Sequence, residues 1–157
     1  MRRGCPFAAA LLMAAFIGGA RAPEAAAPAA PPLVATPAPP RVVAELQAAV
    51  EAARQRFEAR DHVRVLAFVS EQYRSAGLTK AAVRDQLNAM FSLYQELRAR
   101  VIVDRVEMVG GNARVYTTGE VSGRLPLMGW MVVLAWQGEP EVARREAAGW
   151  RLFGFQD

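Results

Sequence analysis

Residues 98–155 read RARVIVDRVEMVGGNARVYTTGEVSGRLPLMGWMVVLAWQGEPEVARREAAGWRLFGF. The stretch is rich in Val, Trp, Tyr and Phe, and Gly- or Pro-bearing breaks divide it, which is the pattern of an antiparallel meander of about four strands. Strand one is expected over Arg98–Val109 and strand two over Ala113–Ser122, with Gly110-Gly111-Asn112 as the hairpin between them. Gly123-Arg124-Leu125-Pro126 reads as the next connection. Strand three follows over Leu127–Gln137, and Gly138-Glu139-Pro140 interrupts it. A short strand at Val142–Glu146 turns at Ala147-Ala148-Gly149 into a last strand, Trp150–Phe155.

Upstream of the sheet the period changes. Val43, Leu46, Val50, Ala53 and Phe57 recur at steps of three and four within Arg41–Arg60, giving a helix with one apolar stripe. Asp61 can cap a short second helix that turns Val63, Leu66 and Ala67 inward. Thr79 can cap a third helix, running to about Glu96, whose apolar face is Val83, Leu87, Met90, Phe91, Tyr94 and Leu97. The expected class is therefore α+β, with N-terminal helices packed on a curved antiparallel sheet of about four strands.

Residues 1–22 have the pattern of a secretory signal peptide. Arg2 and Arg3 give a positive start, Phe7–Ile17 is an unbroken apolar stretch, and Ala20-Arg21-Ala22 offers a cleavage site. The apolar stretch is shorter than the roughly 20 residues that span a bilayer. A periplasmic or secreted protein with no membrane span after cleavage is the expectation. Residues 23–40, PEAAAPAAPPLVATPAPP, read as a Pro/Ala linker, and residues 41–157 as the domain.

The formal charge is +4, and Arg2, Arg3 and Arg21 supply three of those charges, so the remainder is near neutral. With no basic run in the domain, nucleic acid is not an expected partner. The single cysteine, Cys5, lies in the leader, so the domain has neither a disulfide nor a thiol nucleophile. His62 stands alone, so no metal site and no cofactor are expected.

Strand alternation sorts side chains by face. It places Asp104 with Ile102, Val106 and Met108 toward the helices, where a desolvated carboxylate could act as a general base. A one-residue bulge would instead turn Asp104 to solvent. Tyr73, Tyr94, Trp130 and Trp150 are candidates to line a pocket. Tyr116, Met131, Val133, Phe153 and Phe155 would leave an apolar outer face, which suggests a two-fold homodimer.

Three segments carry a family resemblance. They are Phe68-Val69-Ser70-Glu71-Gln72-Tyr73-Arg74, the hairpin Val106–Val115, and the closing hairpin Arg145–Leu152 with its Trp150. Together with the order helix, short helix, long helix, meander, they make the chain from Val42 to Phe155 resemble the nuclear transport factor 2-like superfamily. That superfamily is the α+β cone that also houses steroid isomerase and polyketide cyclase families. The resemblance implies a cone-shaped pocket and frequent dimerisation, but no single activity. Three roles stay open: binding of a small apolar ligand or a protein partner, proton-transfer catalysis with Asp104 as base and Tyr73 or Tyr116 as donor, and a purely structural dimerisation module.

Overall fold

The computed structural model describes residues 34–155. The expected leader lies outside the described residues.

The helices form where the apolar period demanded them, except that the short one buries Val65 and leaves the expected Val63 exposed. Helix α1 spans Pro40–Glu58, with proline in its first turn, where a missing N–H costs nothing. Helix α2 spans His62–Leu66, and the Asp61 carboxylate accepts from the Arg64 N–H at 3.1 Å. Helix α3 spans Lys80–Leu93, and the Thr79 hydroxyl accepts from the Ala82 N–H. All six residues assigned to the apolar face of this third helix and its exit are buried. They join Phe57, Val65, Val69 and Tyr73 in the main core.

The sheet has five strands, ordered across it as Thr36–Pro37, Glu96–Val109, Asn112–Leu125, Gly129–Glu146 and Gly149–Leu152. Strand β4 is Glu96–Val109, β5 is Asn112–Leu125, β6 is Gly129–Glu146 and β7 is Gly149–Leu152. Strand β1, Thr36–Pro37, pairs antiparallel with β4 opposite Met108 and Glu107. Those two residues fall within the stretch that composition alone assigns to the linker. A small separate hairpin pairs β2, Arg74–Ser75, with β3, Leu78–Thr79. Residues 68–70 also run alongside β7. The Ser70 N–H donates to the Leu152 carbonyl and the Leu152 N–H to Phe68, both at 2.8 Å.

Two expected breaks are not breaks. Gly123 lies inside β5 and is buried beneath the Tyr94 ring, where a Cβ would meet ring carbons at 2.4–2.8 Å. The turn falls three residues later, at Pro126–Met128. Gly138-Glu139-Pro140 does not end a strand either, because β6 runs through it for 18 residues.

Three bulges bend these long strands. Each inserts one extra residue: one on β4 between Val103 and Arg105, and two on β6, opposite Thr117/Gly119 and opposite Val121/Ser122. A bulge reverses the inward–outward alternation beyond it and increases local twist, so the sheet wraps around the helices.

Candidate ligand cavity

Between α1, residues 68–69 and the concave side of the sheet lies a cavity of ≈ 60 Å³. Leu46, Val50 and Ala53 line it from the helix, and Val115, Ala143 and Trp150 from the strands. Glu141 and Arg151 also reach its wall. Glu141 has no solvent exposure at all. It stands opposite Val115 in the β5–β6 ladder, and the next pair on the same face is Ala113 with Ala143. A carboxylate is expensive to bury and is almost never fully buried unless it is paired.

A polar latch ties α1 to the Trp150 wall of the cavity. Glu45, on the first turns of α1, accepts from Arg145 Nη1 at 2.5 Å and from the Trp150 indole N–H at 3.0 Å. Its other oxygen accepts from Arg41 at 3.0 Å. The Arg145 guanidinium, then the Trp150 indole, then Arg41 hold the Glu45 carboxyl down at about 2, against an ordinary value of 4.5. A group depressed in the folded state contributes stability above its unfolded pKa and loses that contribution as pH falls through the folded value. The latch should therefore weaken from about pH 4.5 down to about pH 2. Glu45→Gln should flatten the fall in Tm across that window, as measured by scanning calorimetry. An unchanged pH profile would show that the latch is not coupled to folding.

A second polar network ties the 68–75 segment to the sheet. Ser70 is buried, and its hydroxyl donates to Glu146 Oε1 at 2.7 Å. Arg144 donates to the same oxygen and to Gln72. Ser70 first and Arg144 second keep the Glu146 carboxyl below its usual range. The Ser-acid-x-Tyr segment thus acts as a structural clasp, with Tyr73 fully buried in the main core.

The structure corrects several expectations about the site. Asp104 is the bulged residue of β4, exposed, and accepts from the Thr118 hydroxyl at 2.7 Å. Ile102 is exposed, whereas Val106 and Met108 pack in the core on the far side of the bulge. Asp104 therefore does not line the cavity. Of the four expected pocket aromatics, only Trp150 does. Tyr73 and Tyr94 belong to the main core, and Trp130 is 40% exposed with the Arg98 guanidinium 4.2 Å above its ring.

The expected dimer residues do not share one face. Tyr116 points outward, with its hydroxyl on Glu107 and Arg105 over its ring at 4.0 Å. Met131 stands opposite Gly123, on the helix side, and Val133 packs against the main core at a bulge. Phe153 lies under Arg144 at 4.0 Å, and Phe155 is half-buried. Glu141 escaped the sequence reading because Gly138-Glu139-Pro140 looked like a break. The signal available was Glu141-Val142-Ala143, alternating once the strand is allowed to continue.

Among the described residues no helix is long and apolar enough to cross a membrane. No protein-family model and no curated protein sequence matches this chain. Solved structures do. A scytalone dehydratase-like protein of Novosphingobium aromaticivorans superposes with a TM-score of 0.62 at 10% identity, over 71% of this chain and 78% of that one. A ketosteroid isomerase-like protein of Erwinia carotovora atroseptica gives 0.56 at 19% identity, over 73% and 92%. A dehydratase-like protein of Streptomyces avermitilis, from the nuclear transport factor 2-like family, gives 0.55 at 14%, over 73% and 94%. The fold is the nuclear transport factor 2-like cone.

Proposed function

We propose that this chain is an exported protein that binds a small, largely apolar ligand in the cone cavity, with Glu141 taking a hydrogen bond or positive charge from it. The observation that carries this reading is a carboxylate of zero exposure on the wall of a mostly apolar cavity. Ligand sites are commonly built this way, from apolar lining and a few placed polar groups. Export is supported by the composition of residues 1–22. The volume, ≈ 60 Å³, sets the ligand's size. It is well below the ~150 Å³ that accepts benzene, so a ring-sized ligand requires the cavity to widen, most directly by releasing the Glu45 tie to the Trp150 wall. The reading does not require a second copy of the chain.

The test is a thermal-shift panel of small alicyclic and aromatic amines, alcohols and hydrocarbons. Amines and alcohols should raise Tm, and the rise should be larger in Glu45→Ala, whose latch is released. A panel in which no compound shifts Tm in either protein would sink the proposal.

Proton transfer in the same cavity is the second reading. It is supported by the dehydratase-like and isomerase-like neighbours and by Glu141 belonging to the cavity wall. Glu141 takes the role that sequence alternation suggested for Asp104.

A further inference from the structure

The tip of the β5–β6 hairpin is built against the ordinary rules for a turn. The Met128 N–H donates to the Pro126 carbonyl at 2.9 Å, which closes a three-residue γ-turn. Leu127 sits at its centre with φ +68°. That form of γ-turn is rare and strained, and glycine or asparagine is the residue expected at positive φ. Here the position holds a leucine with its side chain wholly in solvent, at 107% relative exposure, followed by Met128 at 70%. Strain combined with an exposed apolar apex points to a contact made by the tip rather than to folding.

The residues behind the tip are ordered by polarity. Leu127 and Met128 form the apex, and Trp130 and Val132 follow on the outer face, exposed by 40% and 55%. Arg98 stacks on Trp130, and Arg124 stands opposite Trp130 in the ladder, paired with Glu96 at 2.5 Å. Arg100 follows two residues further along β4, opposite Glu120. Arginines therefore outnumber acids at this end. An apolar tip, then an indole, then arginines is the order in which a bilayer surface presents acyl chain, interface and anionic headgroup. A protein partner would need far more than a convex two-residue apex, since a stable interface covers roughly 800 Å² on each side.

We infer that the β5–β6 hairpin tip docks on anionic lipid surfaces, with Leu127 and Met128 entering the headgroup–acyl boundary and Trp130 at the interface. This does not depend on what the cavity binds.

The test uses the full chain with vesicles of phosphatidylcholine and phosphatidylglycerol, in which part of the lipid carries brominated acyl chains. Trp136 and Trp150 are buried, and all three tryptophans lie outside residues 1–22, so lipid quenching of tryptophan emission reports Trp130 and not the apolar leader. Quenching is expected with anionic vesicles and should fall at least tenfold in Leu127→Asp/Met128→Asp. It should vanish in Trp130→Phe and weaken in 1 M salt. Leu127→Gly is the folding control, because glycine relieves the strained φ while removing the side chain. It should quench less than the parent and melt no lower. Absence of quenching overturns the inference. So does quenching that the Asp pair leaves unchanged, which would place the leader in control. Concentration-dependent self-association that the Asp pair abolishes, without lipid quenching, would give the tip to a second copy instead.

Discussion

Gly119→Val is expected to destabilise the protein by about 3 kcal/mol or more, near the upper end for overpacked positions. Gly119 faces the core of the cone directly beneath Trp136, and the two residues are ladder partners. A Cβ at Gly119 would overlap the indole ring and lie 2.5 Å from the Arg100 carbonyl oxygen. The ring cannot move aside cheaply. It is 7% exposed, and its N–H donates to the Thr117 hydroxyl at 3.0 Å inside the core. The backbone oxygen belongs to the neighbouring strand and cannot move without breaking the ladder. Urea unfolding should show the midpoint falling with an unchanged slope. A midpoint within experimental error of the parent's would mean that the close packing of Trp136 on β5 is not as described.

Glu141→Gln should have the largest effect on function. The substitution keeps the side-chain volume and replaces the acid by a neutral amide. Under the binding proposal, affinity for amine probes falls about tenfold, the difference between a hydrogen bond to an acid and one to a neutral amide. Under the proton-transfer reading, turnover is lost while neutral compounds still bind. Calorimetric titration of an amine and of its hydrocarbon analogue separates the two outcomes. If Glu141→Gln lowers Tm sharply and leaves binding of both compounds unchanged, the carboxylate is a structural ion and both readings fall.

Much of the architecture was legible because it rests on periodicity. The stripe Val83, Leu87, Met90, Phe91 and Tyr94 has no competing reading as a strand, and every member is buried. The hairpin at Gly110-Gly111 was equally plain, since both glycines take positive φ in a two-residue turn. The site was not legible, for one physical reason. Alternation assigns a side chain to a face only while the register holds, and each bulge reverses the assignment. The extra residue at Asp104 moved the expected base out to solvent. The extra residue beside Gly138 turned Glu141 inward, past a Gly-Glu-Pro segment that looked like an end. Trp130 and Trp136, six residues apart, would share a face in an unbroken strand, but the bulge opposite Val121/Ser122 separates them. Bulges depend on closing the sheet around its helices, which is a tertiary requirement with weak local signal.

Strand β1 has a consequence for reach. It holds the N-terminal end of the described chain against Glu107 and Met108, near the far end of β4. The β5–β6 apex lies beyond the opposite end, where Glu96 pairs with Arg124. At about 3.4 Å per residue the two are separated by about 40 Å of strand path. The bent sheet thus has a chain entry at one pole and an apolar point at the other. Whatever engages one pole leaves the other clear, with the cavity on the concave side of the sheet between them.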